Sequence, residues 1–112
     1  MPNNSINYSL GPLEKEILKI SWTSKIVCVR HILDQLPKNL KPAYTTVMTI
    51  MNRMVDKGIL KKEKQTKTCY YQTTQNKNEF LASLIKKQIT TVINQYGAEV
   101  LPILQQEINH LS

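Results

Sequence analysis

The stretch KPAYTTVMTIMNRMVDKG, residues 41–58, constrains the fold more than any other. Val47, Ile50, Met51, Met54 and Val55 recur at i, i+3, i+4, i+7 and i+8, the stripe of a helix laid on a core. Pro42 suits the opening turn of such a helix, and Gly58 suits a left-handed cap at its end. The other side shows Tyr44, Thr45, Met48, Thr49 and Asn52, where a solvated helix ordinarily carries Lys and Glu. A face of hydroxyls, a thioether, an amide and a phenol is built for a partner other than water.

Charge narrows the choice of partner. The chain has 112 residues and a formal charge of +7. Lys38, Lys41, Arg53, Lys57, Lys61, Lys62, Lys64 and Lys67 face only Asp56 and Glu63 in the same stretch, so +6 of the +7 falls between Lys38 and Lys67. Cations gathered this way point to phosphate or an anionic membrane, with a surface kept basic for solubility as the plain alternative.

Other classes fall away. No apolar run is long enough to span a bilayer, so membrane insertion is not expected. The start, MPNNSINYS, lacks the basic and apolar regions of a signal peptide, and a cytoplasmic protein is expected. Cys28 and Cys69 stand apart without CxxC spacing, as thiols of a reducing compartment do. His31 and His110 lie far apart on helical patterns. With no phosphate loop, paired carboxylates or nucleophile motif, we expect no enzyme, no catalytic residue, no metal and no cofactor.

Along the chain, Ser9 is placed to cap a first helix, with Pro12 in its opening turn and Leu10, Leu13, Ile17 and Ile20 on its apolar side. SKIVC reads as a brief strand at Lys25–Val27. A second helix buries Val29, Ile32, Leu33 and Leu36 before Pro37 stops it. After the third helix, Leu60–Gln65 and Cys69–Thr73 read as a hairpin with a basic tip. Helical periodicity returns from Lys77 to Gly97 and again to Leu111. The expected fold is mainly α with a small β-hairpin. It is a winged helix-turn-helix over residues 9–74, followed by a helical dimerisation region over 76–112.

In that arrangement the third helix enters the DNA major groove. Thr45, Thr46, Met48, Thr49 and Asn52 are the candidate base readers. Threonine can hydrogen-bond a base while its methyl meets a thymine methyl, Met48 offers a flexible apolar contact, and Asn52 could pair bidentately with adenine. Lys41, Tyr44, Arg53, Lys62, Lys64, Lys67 and Tyr70 are the candidate backbone contacts. For Arg53 a structural ion pair is an equal alternative. For the hairpin lysines the alternative is a solvated strand edge kept from aggregating. One of Tyr70 and Tyr71 should pack inward, and alternation alone leaves open which.

The C-terminal pattern follows another logic. Phe80, Leu81, Leu84, Ile85, Ile89, Val92, Ile93 and Tyr96 cover more than half the circumference of one helix. Val100, Leu101, Leu104 and Ile108 mark the next. A second copy would bury this surface at roughly 25 cal/mol per Å² removed from water. Folding back on the chain's own core is the competing arrangement. A two-fold dimer presents two third helices to successive major grooves, which calls for an inverted repeat.

LGPLEKEILKISW, VRHILDQL, AYTTVMTIMNRMVDKGIL and TKTCYY, spread over residues 9–73, together resemble the penicillinase-repressor family, which includes the methicillin-resistance regulator and copper-transport repressors. The resemblance implies a bacterial, cytoplasmic, dimeric repressor of inverted repeats with a TACA/TGTA core. It implies base reading by Thr45, Thr46 and Met48, with Thr49 beside them. It also brings in a membrane sensor protease as a partner, since β-lactam-responsive members are cleaved in their C-terminal part. Methicillin-type members carry a longer basic side chain where this chain has Met48, so its preferred bases are expected to differ. Thr66 replaces the family's usual wing glycine. No cysteine follows Cys69, which argues against direct copper sensing. The chain ends at Ser112, short of the last helix of many relatives, leaving dimerisation to residues 77–111.

The expected function is therefore repression by a dimer on an inverted-repeat operator. A winged helix used as a protein-interaction module is the rival from another class. An activator, or a plasmid or phage regulator using the same domain, is the nearer rival.

Overall fold

The structure, a computed structural model, describes residues 6–65 and 67–112; Thr66, expected in place of the family's usual wing glycine, lies outside the described residues. The order is α1 (Pro12–Thr23), α2 (Val29–Gln35), a 3-10 turn (Lys38–Leu40), α3 (Tyr44–Asp56), β1 (Leu60–Gln65), β2 (Thr68–Thr73), α4 (Lys77–Tyr96) and α5 (Val100–Leu111). The chain divides into two compact units, Met1–Lys77 and Asn78–Ser112.

In the first unit, α1 starts two residues later than Ser9 suggested. Gly11 is the cap residue, and Glu14 Oε1 accepts its N–H at 2.9 Å. Pro12 then takes the first helical position, where a missing N–H costs nothing. Ser9 lies outside the helix, and its N–H donates to Asn7 Oδ1. Ile17 and Leu18 are the buried apolar residues of α1, whereas Leu10, Leu13 and Ile20 remain partly accessible. The expected strand at Lys25–Val27 shrinks to a single bridge. Val27 exchanges two backbone hydrogen bonds with Tyr71, 3.0 and 2.7 Å long, while Lys25 and Ile26 are exposed. In α2, Val29 and Ile32 are buried and Leu33 is half-buried, and the cap residue Leu36 just beyond is buried as well.

The third helix follows its periodicity closely. Val47, Met51 and Met54 are 0% exposed, and Ile50 and Val55 flank them half-buried. Its start differs slightly from expectation: Ala43 is the cap, in extended conformation, so Pro42 precedes the helix instead of sitting in its first turn. Gly58 ends the helix at φ 82, the left-handed region that a side chain would strain. That turn delivers the chain into the β1–β2 hairpin, paired antiparallel from Leu60↔Thr73 to Gln65↔Thr68. Only Leu60 of β1 is buried, and Tyr71 is the inward residue of β2. Tyr70 is therefore the tyrosine on the accessible side.

The second unit is two helices joined through Gly97, at φ 100. Among its described residues only Phe80 is buried. Leu81, Ile85, Val92, Tyr96, Leu101, Ile103, Ile108 and Leu111 are exposed, with Ile85 at 55%.

Candidate nucleic-acid interface

The face of α3 opposite its buried stripe holds Tyr44, Thr45, Thr46, Met48 and Thr49, all exposed. Thr45, Thr46 and Thr49 line a shallow hollow with Ile50 and Arg53. The Thr49 hydroxyl donates to the Thr45 carbonyl at 2.9 Å, so its proton is used inside the helix while its oxygen can still accept. The short threonine side chains leave the helix backbone open to close approach on this face. Arg53 is exposed at the end of the hollow.

Sequence reasoning missed a cation at the other end. The Arg30 guanidinium carbon lies 5.8 Å from the centroid of the Tyr44 ring, at the start of α3. Arg30 belongs to α2, outside the basic stretch, so no local pattern marked it. Charge thus borders the neutral face on both sides.

Four wing lysines, Lys61, Lys62, Lys64 and Lys67, are exposed, as is Lys41 before α3; Tyr70 is half-buried. Asn52 departs from the rest of its face. It is half-buried, and its Oδ1 accepts from the Tyr71 hydroxyl at 2.8 Å and from Lys62 Nζ at 3.1 Å. Both acceptor positions of that oxygen are occupied, which the expectation of a bidentate adenine contact did not foresee.

Lys57, counted in the basic stretch, is neutralised within the fold. Its ammonium sits 3.0 and 2.9 Å from the two Glu14 carboxylate oxygens and 2.7 Å from the Ser9 carbonyl. Burial of Glu14 works to raise its carboxyl pKa. The Gly11 N–H, the Lys57 hydrogen bonds and the positive charges of Lys57 and Arg53 together outweigh burial and hold it below the usual carboxylate range. Lys57 thus fastens the first turn of α1, through Glu14, and the segment before it, through Ser9, to the end of α3.

Of the residues expected to pair two copies, Phe80 is buried within the protomer and drops out of the surface. Leu81, Ile85, Val92, Tyr96, Leu101 and Ile108 are exposed, and Leu84, Ile89, Ile93, Val100 and Leu104 are half-buried. Ile89, Val92, Val100, Ile103 and Leu104 line a groove between α4 and α5, with Gln88 and Glu107 at its rim. Among the described residues no cluster of His, Cys, Asp or Glu could hold a metal ion, and Cys28 and Cys69 are free thiols.

A family model described as penicillinase repressor matches residues 10–112. The chain belongs to the penicillinase repressor family. As a member it is a DNA-binding transcriptional repressor, not an enzyme. None of the curated proteins matches it by sequence. Among solved structures it is similar to the CopR repressor, 27% identical, with a TM-score of 0.52 over 63% of this chain and 100% of that one. It also shares the fold of the DNA-binding domain of the repressor BlaI, at 19% identity and TM-score 0.56 over 70% of this chain and 93% of that one. The RosR structure of H. salinarum, 17% identical, covers 92% of this chain and 97% of its own at TM-score 0.56. These are winged-helix proteins, and the hairpin after α3 is the wing.

Proposed function

We propose that the protein represses transcription as a homodimer seated on an inverted-repeat operator. Thr45, Thr46, Met48 and Thr49 read bases in each half-site, and Tyr44, Arg30, Arg53, Lys41 and the wing lysines hold the phosphates. The observation that carries this reading is the outward face of α3, neutral and short-chained where bases would lie and bordered by cations where phosphates would lie. The exposed apolar residues of α4 and α5 supply the surface for pairing. Half-sites with a TACA/TGTA core follow from the family resemblance, with Met48 shifting the preference. The protein works where DNA is, in the cytoplasm, and no described helix is long and apolar enough to cross a membrane. A membrane sensor protease fits upstream, since a cut within α4 or α5 would separate the two copies.

Selection of bound sequences from random duplexes, followed by titration at two salt concentrations, tests the proposal. It should return an inverted repeat bound more tightly at low salt. Thr46→Ala should weaken operator binding by about tenfold while barely changing binding to unrelated duplex, the scale of one base contact. Enrichment of no repeat, or equal loss on both duplexes, would defeat the base-reading assignment.

A further inference from the structure

The Asn52 carboxamide is a junction of three chain segments. Tyr71 reaches it from β2 and Lys62 from β1, and these two face each other across the hairpin as a directly paired position. Lys62 Nζ also lies 5.8 Å from the Tyr71 ring centroid. Tyr71 is fixed from its far side by the two backbone bonds to Val27, and it is 1% exposed. Burial first, then Cys69 and Tyr44, raises the Tyr71 pKa, so its hydroxyl keeps the proton that it donates.

Adenine reading by asparagine needs the carboxamide oxygen to accept from the base. Here that oxygen already holds two donors. Freeing it would strand a buried tyrosine hydroxyl, and a buried polar group left unpaired costs about 1–3 kcal/mol. The two donors are not equivalent, however. Tyr71 is enclosed, whereas Lys62 is exposed and can exchange the amide for a phosphate oxygen, a stronger acceptor because it is charged.

We infer that Asn52 is a positioning residue rather than a base reader: its carboxamide ties the wing to the recognition helix through Tyr71 and holds Lys62 in place for a phosphate. This rests on the DNA-binding reading above and adds the link between that reading's two contact surfaces. Losing the tie lets the wing move relative to α3, which lowers affinity without changing which bases are preferred.

The test uses the full chain carrying Asn52→Ala, Tyr71→Phe, both together, Asn52→Asp, or Lys62→Ala. Urea midpoints come first. The two single changes should each lower the midpoint, and the double should lower it no further than the worse single, because one bond has been removed twice. Titration then uses the selected operator and versions altered at single base pairs. Asn52→Ala and Tyr71→Phe should each weaken operator binding about 3- to 10-fold, the scale of one net hydrogen bond, with the ranking of altered operators unchanged. Asn52→Asp keeps acceptors for both donors but grips Lys62 with a full charge. It should flatten the logarithmic salt dependence by about one, as Lys62→Ala does, since one phosphate contact is withheld. If Asn52→Ala erases preference at one base pair while Tyr71→Phe leaves it intact, Asn52 reads a base and the inference falls. Losses that add in the double variant remove the tie itself. A wild-type chain that binds no duplex sinks the DNA-binding reading along with it, an outcome distinct from both.

Discussion

The α3 helix and the α4–α5 pair contain similar apolar residues and use them differently. In α3 the stripe is closed off: Val47, Met51 and Met54 have no access to water. In α4 and α5, Ile85, Tyr96, Ile103 and Leu111 stay in water, and Phe80 is the buried exception. Periodicity alone predicts both helices equally well. What separates them is what stands opposite. Residues 6–77 bring α1, α2 and the hairpin around one side of α3, while the described residues of 78–112 leave most of their apolar side chains accessible. A finished core and an unfinished one thus sit in one chain, and the unfinished one defines where a second copy is expected.

The comparison breaks most decisively with one substitution in each region. Met51→Ala should cost about 2–5 kcal/mol of folding stability, as large-to-small core changes do, with the oligomeric state unchanged at native temperature. Ile85→Asp should do the reverse: sedimentation should show monomers, operator affinity should fall by about 100-fold or more, and the urea midpoint of the first unit should hardly move. Equal effects on stability from the two changes would mean that α4 belongs to the protomer's own core.

A smaller effect sharpens the contrast within the first unit. Lys64→Ala combined with Lys67→Ala should weaken binding to any duplex and flatten the logarithmic salt slope by about 1.8, at about 0.9 per phosphate contact. An unchanged slope would confine DNA contact to α3 and its borders.

The smallest expected effect concerns Glu14. Its folded pKa lies below its usual value, so its pairing stabilises the fold above the ordinary carboxylate pKa of 4.5 and is lost as pH falls through the lower folded value. Glu14→Gln should flatten the loss of stability in that acid window. Urea midpoints of both proteins, compared at neutral pH and across the window below 4.5, check this. Parallel curves would show that the pair adds nothing to acid sensitivity.

Elements whose logic is local could be read from the letters alone. The two faces of α3, the left-handed Gly58 and both hairpin arms follow from spacing and turn chemistry within a few residues. The start of α1 was misplaced by a cap that depends on Glu14 reaching back to Gly11. The strand at Lys25–Val27 was overextended because only Val27 finds a partner, in β2. Long-range pairs were invisible altogether. Tyr71 meets Asn52 across 19 positions and Lys57 meets Glu14 across 43, and no periodic pattern encodes either. Arg30 over Tyr44 is of the same kind. For this reason the neutral, outward face of α3 was legible and the company it keeps was not.

The Lys57–Glu14 pair has a consequence for the strength of any complex with a duplex. Tight binding at low salt comes from ions that leave the DNA when protein cations replace them, and Lys57 cannot take part while its ammonium is neutralised at home. An ion-release count taken from the eight cations between Lys38 and Lys67 therefore overstates what the folded surface can displace.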